Sequence, residues 1–513
     1  MLIEKRERVV FERREECVCG EHVNVDIDVQ QVVELICSST KRALIAGLLR
    51  MSKLFNLVLL TLFLILFVQA GKHSKKSHEK GKSKTLINKK QNQADCYDDI
   101  DSPYVFFGTK TSYRWNRNKN DDEVTPPGCV AQQFWLLARH GSRNPTTKDM
   151  IKLKSVLPLI QREIVSNYKA GRGSLCKDDI KNLEKWKFHA DVDDGELLVK
   201  EGFKELKGIG DRFQHRFRTL LTRPFVNSSY IFQHTDTERT NASARAFAKG
   251  MFGKKNIGDV FFQKSSTPDT LLRFDEVCDK WEKKVHANSD ALIERTLFEE
   301  SDDFLSMLQS VTHRLGFFST LNFSDINLMY NMCLFNKAWH PKKLSPWCAV
   351  FSKDDLKILE YREDLEFYYE NGYGFPINYE QACVPLKDVH DSFRRVVDNI
   401  SPNPKGKFYF THTGTVLKVM ARFGLFKDAI PVKHSNRELM KHREWRTSLI
   451  SSFGTHLALV LFNCTDGHYV TAYVQERPIK LPGCTNELCK FSDFTSQYEL
   501  FATSCDVEET CRI

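Results

Sequence analysis

The chain has 513 residues, of which 41% are hydrophobic, 27% charged and 12% aromatic. This is the composition of a globular protein, and it excludes a wholly disordered, collagen-like or multi-span membrane protein. The formal net charge is +9, but residues 71–90 alone carry eight Lys and one Glu, which leaves +2 for residues 91–513. A nucleic-acid binder spreads basic charge over a folded face, so nucleic acid is not an expected partner.

The segment 51–70 resembles a secretory signal peptide. Lys53 provides a basic lead, residues 54–68 form an apolar run, and Ala70 ends the segment with a small residue. We therefore expect cleavage after Ala70 and only transient contact with a membrane. The alternative is an uncleaved membrane anchor formed by residues 54–68. Because a signal peptide normally begins the chain, we expect Met51 to be the working start and residues 1–50 to be an alternative extension or one that is not translated.

After this signal, residues 71–95 have the composition of a basic flexible linker, and the folded domain is expected over 96–513. The twelve cysteines beyond the signal are an even number, which in an exported chain indicates disulfides. Two close pairs, Cys484/Cys489 and Cys505/Cys511, are the expected local bridges. No tight cluster of ligands indicates zinc. The N-x-S/T sequence marks five glycosylation candidates: Asn227, Asn241, Asn322, Asn399 and Asn463.

Three short apolar runs of strand length each end at polar residues. They are residues 133–138, before Arg139; residues 229–233, before His234; and residues 408–411, before His412. Helical spacing is found in four segments: residues 200–220, 240–251, 302–315 and 415–423. Most of residues 255–400 reads as helices and loops. The pattern predicts an α/β fold, in which a central mixed sheet is flanked by helices and carries a mainly helical inserted domain within about 255–400.

The segment Arg139-His140-Gly141-Ser142-Arg143 carries the strongest chemical signal. Two arginines, four residues apart, flank a histidine where a buried strand emerges into a turn. In open α/β sheets, sites form at the carboxyl ends of strands. The planar guanidinium fork suits phosphate oxygens, and a histidine between two such forks could form a transient phosphohistidine.

With Pro145, this segment resembles the R-H-G-x-R-x-P signature of the histidine acid phosphatases in the histidine phosphatase superfamily. Residues 236–240 resemble the family's D-x-x-R-T segment. Three further segments resemble the multiple inositol polyphosphate phosphatases within this family: residues 194–202, residues 410–415 and the C-terminal cysteine pair in residues 504–511. The resemblance covers about 96–511.

The resemblance implies a phosphomonoesterase that acts through a phosphohistidine, needs no metal or cofactor, and hydrolyses inositol hexakisphosphate and lower forms, with 2,3-bisphosphoglycerate as a further candidate. His140 would be the nucleophile. Arg139, Arg143 and Arg239 would hold the phosphoryl group, with His412 as a further donor. A mutase-like transfer shares this chemistry, but the export signal argues against it.

The chain departs from the family at the second histidine. The family places a carboxylate there, as H-D or H-A-E, to protonate the leaving alkoxide. Here the residues are His412-Thr413-Gly414, so the position of the proton donor is vacant. Three interpretations stay open: another carboxylate or a water substitutes, catalysis is slow, or the protein is a secreted inositol-phosphate-binding pseudo-phosphatase with little turnover.

Overall fold

The computed structural model describes residues 96–99, 105–119, 125–223 and 225–513. The predicted extension, signal peptide and linker at residues 1–50, 51–70 and 71–95 lie outside the described residues, and they stay predictions. The helices that are described include none long and apolar enough to cross a membrane.

A mixed eight-stranded sheet forms the centre of the fold, as predicted. Its order is β3-β2-β4-β1-β5-β6-β7, with β8 paired to β6. Strands β1 to β4 pair in parallel, whereas β5 to β8 pair antiparallel with their neighbours. The strands are β1 Cys129–Arg139, β2 Tyr230–His234, β3 Gln263–Lys264, β4 Gly406–Thr411, β5 His456–Cys464, β6 Gly467–Val474, β7 Arg477–Ile479 and β8 Leu488–Lys490.

Strand β1 is central because it is apolar on both faces. Residues 134–138 are almost completely buried, as expected for a strand covered by helices on each side. The sequence analysis did not predict the antiparallel β5–β6 hairpin. A continuous apolar run followed by the turn residues Asp466-Gly467 is nevertheless a strong hairpin signal.

In the described part of the chain, sixteen α-helices flank this sheet or fill the segment between β3 and β4. They are α1 Tyr113–Asn116, α2 Thr147–Lys169, α3 Lys177–Lys185, α4 Lys200–Arg216, α5 Glu238–Phe252, α6 Asp279–Trp281, α7 Ile293–Glu299, α8 Asp302–Arg314, α9 Phe323–Trp339, α10 Lys353–Asn371, α11 Pro376–Glu380, α12 Cys383–Val397, α13 Thr413–Arg422, α14 Thr447–Ile450, α15 Phe491–Thr503 and α16 Val507–Cys511. The four predicted helices correspond to α4, α5, α8 and α13. Helices α2 and α3 were not predicted, although the buried side chains of α2 recur at helical spacing.

Six disulfides join the described part of the chain: Cys96–Cys176, Cys129–Cys464, Cys278–Cys511, Cys333–Cys348, Cys383–Cys505 and Cys484–Cys489. The predicted Cys484–Cys489 bridge is confirmed. The predicted Cys505–Cys511 bridge is wrong. Helix α16 separates the two cysteines and packs Cys511 with Cys278 and Trp281 in a small apolar cluster, so each cysteine meets a partner that is distant in sequence.

Candidate active site

The carboxyl ends of β1, β2 and β4 meet at one edge of the sheet. Residue 139 is in register with residue 411, and residue 234 with residue 410. Beyond the last pair, the His140 backbone N–H donates to the Thr411 carbonyl oxygen (3.0 Å) and the Thr235 N–H to that of Phe410 (3.1 Å). The parallel register therefore places His140, Thr235 and His412 side by side, as the sequence predicts for residues 140 and 412.

The ring of His140 is oriented by its own backbone. Nδ1 lies 2.9 Å from the Gly141 carbonyl oxygen, and because a carbonyl only accepts, Nδ1 carries the proton. Nε2 then bears the lone pair, and it has no hydrogen-bond partner among the described residues. Burial, followed by the charges of Arg139, His412 and Arg143, holds the pKa of His140 well below its usual value. The imidazole is therefore neutral, as a nucleophile requires.

A buried carboxylate fixes the loop that follows His140. Glu205 on α4 accepts from the Ser142 backbone N–H (2.8 Å) and hydroxyl (3.1 Å), and also from Ser112 and Tyr113. Four donors satisfy one ionised group, which compensates for its removal from water. Glu205 carries no motif of its own and was not predicted.

Arg139 is buried and is held by backbone carbonyl groups and an aromatic ring. Its Nη1 donates to the carbonyl oxygens of Thr109 and Ser451, and its guanidinium carbon lies 4.4 Å from the centre of the Phe453 ring. Burial, followed by the charge of Arg143, lowers the pKa of Arg139 to about 9. Arg139 is thus still protonated at neutral pH.

Arg143 and Arg239 complete the predicted set of arginines. Arg239 lies in the first turn of α5, whose position depends on close packing against α4. A Cβ on Gly250 would lie 2.0 Å from the Lys207 carbonyl oxygen. Arg239 Nη1 is 3.5 Å from Glu196 Oε1. Burial and the charge of Arg239 lower the pKa of Arg143 to about 10.

Each of the three predicted arginines has a donor that the described protein does not satisfy. The Nε–H groups of Arg139, Arg143 and Arg239 are buried without a hydrogen-bond acceptor. Buried donors are nearly always paired, and a guanidinium N–H that lacks an acceptor in the protein can donate to a bound anion. The three groups therefore fit the predicted phosphate site.

His412 ends β4 and precedes α13. Its Nε2 lies 3.0 Å from Thr235 Oγ1, whose own proton is directed to Thr240 Oγ1 (3.0 Å). His412 Nε2 therefore carries a proton and donates it to Thr235. Burial, followed by Arg273 and Arg239, lowers the pKa of His412 to about 2. At neutral pH the His412 ring is therefore uncharged in the free protein.

Arg273 is a fourth arginine at the site, and the sequence analysis missed it. Among neighbouring charges, it has the largest effect on the pKa of His412. The hydroxyls of Thr411 and Thr415 both donate to the carbonyl oxygen of Leu272 (2.8 and 3.0 Å). These bonds fix Leu272, the residue before Arg273, against the turn at His412. Arg273 lies in a segment without a motif, so only the fold brings it to the site.

Gly414, at the predicted vacant position, lies at the start of α13. Gly414 is half-buried and has no left-handed backbone strain. A Cβ built on it would lie 2.6 Å from Asn371 Oδ1 and 3.4 Å from Lys418 Nζ. The space that a side chain at 414 would enter is therefore occupied by other polar groups.

The predicted glycosylation sites are spread over the surface. Asn227, Asn322, Asn399 and Asn463 are exposed, whereas Asn241 is partly buried on α5, where its Oδ1 accepts from Arg245 Nε (2.8 Å). All five stay predictions.

Comparison with known proteins places this chain in a family. The family model described as histidine phosphatase superfamily (branch 2) matches residues 132–475. Multiple inositol polyphosphate phosphatase 1 of Drosophila melanogaster is 32% identical over 417 residues, which cover 79% of this chain and 87% of the relative. The human protein of the same name is 27% identical over 445 residues, covering 80% of this chain and 89% of the relative.

Solved structures show the same fold. The phytase from D. castellii has a TM-score of 0.65 at 16% identity and covers 81% of this chain and 91% of its own. The multiple inositol polyphosphate phosphatase of Bifidobacterium longum, in complex with inositol hexasulfate, has a TM-score of 0.58 at 14% identity and covers 76% and 97%. Because the family model matches most of the length of this chain, the chain belongs to branch 2 of the histidine phosphatase superfamily.

Proposed function

We propose that this protein is a phosphomonoesterase that hydrolyses inositol polyphosphates through a phosphohistidine on His140. One observation carries the proposal: a neutral histidine with a free Nε2 lies among four arginines at the edge of the sheet. The names of its relatives favour turnover over a role in binding alone.

The chemistry follows from the geometry in two steps. The Nε2 lone pair attacks phosphorus, and the electron pair of the broken P–O bond goes to the leaving oxygen. Water then attacks the phosphohistidine, and the electron pair returns to Nε2. The guanidinium groups of Arg139, Arg143 and Arg239 stabilise the charge on the phosphoryl oxygens, which is usually the largest catalytic contribution.

A cavity lined by lysines together with apolar side chains supports a substrate with several phosphates. This cavity, of about 550 Å³, is lined by residues of α3, α4 and α9 and of the loops 186–190 and 340–346. Two of its lining residues contact the His140 loop: the Trp339 indole N–H donates to the Arg143 carbonyl oxygen (3.3 Å), and the Val199 N–H donates to that of Ser142 (3.0 Å).

Four lysines line this cavity: Lys185, Lys187, Lys200 and Lys343. None of their ammonium groups forms an ion pair with any residue that the structure describes. Its one acidic lining residue, Glu201, is paired with Lys204 (2.8 Å). Unpaired cations in a cavity that adjoins the His140 loop suit the phosphates that are not being cleaved.

Release of phosphate from inositol hexakisphosphate by the purified protein tests the proposal. The double variant Lys187→Ser/Lys343→Ser should raise KM for inositol hexakisphosphate about 10-fold and leave KM for p-nitrophenyl phosphate unchanged. The matched control, Lys254→Ser/Lys255→Ser, removes two exposed lysines beyond the other end of α5 and should change neither constant. Cleavage of p-nitrophenyl phosphate without cleavage of inositol hexakisphosphate would contradict this substrate class.

We further propose that the protein works in the secretory pathway. The six disulfides are typical of proteins that fold in an oxidising compartment, and the sequence predicts a signal peptide at 51–70. N-terminal sequencing of protein from the medium of expressing cells should begin at Gly71. Secreted protein that retains peptides from residues 1–50 would contradict the predicted start.

A further inference from the structure

A buried lysine lies behind the vacant position at the start of α13. Lys418 is one helical turn after Gly414, and helix side chains tilt toward the N-terminus, so its ammonium reaches back over residue 414. Its Nζ lies 3.4 Å from the point where a Cβ of residue 414 would be. A cation therefore occupies the space that a carboxylate at this position would enter.

Three groups hold the ammonium of Lys418. Nζ donates to Asn371 Oδ1 (2.9 Å), lies 3.3 Å from Asp275 Oδ2, and is 4.0 Å from the centre of the Trp281 ring. The side chain is completely buried. Replacing a buried ion pair with apolar residues is often neutral or stabilising, so stability alone does not explain this charge.

The same cluster extends toward His412 through Arg273. Asp275 Oδ1 lies 3.7 Å from Arg273 Nε, and Arg273 is the neighbouring charge that most affects His412. Burial lowers the pKa of Lys418, while Asp275 opposes that shift. A lysine whose pKa is lowered gives up its proton more readily than an exposed one.

We propose that Lys418 performs the task of the missing carboxylic acid and protonates the leaving oxygen across the side-chain-free face of Gly414. The inference rests on the proposed phosphatase function. As His140 Nε2 bonds to phosphorus and the P–O bond breaks, one Nζ–H proton moves to the leaving oxygen, which departs as an alcohol. Asn371 Oδ1 gives up its place as the acceptor of that proton.

The neutral amine then serves the second step. Water attacks the phosphohistidine, and its proton goes to Lys418 Nζ while the N–P bond breaks. This restores the ammonium and the free His140, so protons and electron pairs balance over the cycle. Asp275 is a positioning residue in this scheme, because it holds the ammonium and does not contact the substrate.

The leaving group distinguishes a proton donor from a structural lysine. p-Nitrophenolate departs without a proton, whereas an alkoxide needs one. Lys418→Met should therefore lower kcat/KM about 10²-fold for an alkyl phosphate such as glycerol 2-phosphate and less than about 3-fold for p-nitrophenyl phosphate, with phenyl phosphate between them. The matched control is Lys407→Met, which removes a lysine paired with Asp388 (2.7 Å) in the first half of β4, and should leave the ranking of the three substrates unchanged.

Because Lys418→Met leaves the buried Asp275 without its main partner, Lys418→Met/Asp275→Asn is measured beside it. The same dependence on leaving group in the folded double variant supports the proposal. An equal loss for all three substrates, or no loss, overturns it while leaving the phosphatase function intact. If the wild type cleaves none of them, the proposed function and this inference both fail.

Discussion

The imidazole rings of His140 and His412 lie next to each other at the ends of β1 and β4 in an edge-to-face arrangement, with centroids 5.6 Å apart and planes inclined by 65°. Their hydrogen bonds differ. His140 Nε2 has no partner among the described residues, whereas His412 Nε2 lies 3.0 Å from Thr235 Oγ1. This difference supports His140 as the nucleophile and His412 as a group oriented by Thr235.

Thr235→Val tests that orientation. The methyl group keeps the volume but cannot accept the His412 N–H, which is then left unpaired in a buried site. We expect kcat for p-nitrophenyl phosphate to fall about 10-fold, and Thr235→Ser, which retains the hydroxyl, to restore most of it. Equal activity of the Val and Ser variants would show that the Thr235 hydroxyl does not orient His412.

The pH dependence follows from the histidine pKa values. Burial holds the pKa of His140 well below its usual value, so the free enzyme keeps its nucleophile unprotonated in mild acid. Since kcat/KM reports the free enzyme, kcat/KM for p-nitrophenyl phosphate should show no loss near pH 6.5, after correction for the ionisation of the substrate. An acid limb at about pH 6.5 would contradict the neutral His140.

The same histidines have a predictable effect on stability. Burial lowers the pKa of His456 to about 4, and His140 and His412 shift in the same direction. Below about pH 6.5 the unfolded chain binds protons that the native state does not. The contribution of these three histidines to the free energy of unfolding is therefore complete above pH 6.5 and decreases as the pH falls toward 4. Tm measurements across this range will show the decrease.

Position 414 can be tested directly. A Cβ at Gly414 would lie 2.6 Å from Asn371 Oδ1, so Gly414→Ala should destabilise the protein by about 1–2 kcal/mol through overpacking. Asn371→Ala should relieve that contact, so the double variant should be more stable than the sum of the single effects predicts. Fully additive changes in the free energy of unfolding would contradict this contact.

In an Asn371→Ala/Lys418→Met background, which lacks the proposed proton donor, Gly414→Glu supplies a carboxyl group where the family has one. We expect it to raise turnover of inositol hexakisphosphate relative to Gly414→Gln, which has nearly the same shape but no acidic proton, by up to about 10²-fold. Equal rates for the folded Glu and Gln variants would show that position 414 is not where the acid acts.

The disulfide pairing can be checked by peptide mapping without reduction. The structure predicts crosslinked peptides that contain Cys278 with Cys511 and Cys383 with Cys505. Cys383→Ser should leave Cys505 as a free thiol that alkylates, and should not expose Cys511. A peptide linking Cys505 to Cys511 would contradict the packing of α16.

The sequence predicted those parts of the site that have local signals. Arg139, His140 and Arg143 follow an apolar strand, whereas Arg239 and His412 were assigned to the site through the resemblance of their segments to the family's motifs. Arg273, Glu205 and Lys418 have no such signal. Hydrogen bonds to the Leu272 carbonyl bring Arg273 to the site, the packing of α4 brings Glu205, and the turn of α13 brings Lys418. These are tertiary properties. The disulfide partners of Cys505 and Cys511 were missed for the same reason.

Time-resolved trapping of the phosphoenzyme tests the central claim most directly. The protein is mixed with ³²P-labelled substrate, quenched into alkaline denaturant within milliseconds to seconds, and the labelled peptide is identified. The account predicts rapid labelling of His140 followed by release, no label in His140→Ala, and unchanged labelling in His313→Ala, which alters an exposed histidine on α8. Turnover or labelling that persists in folded His140→Ala would contradict the account.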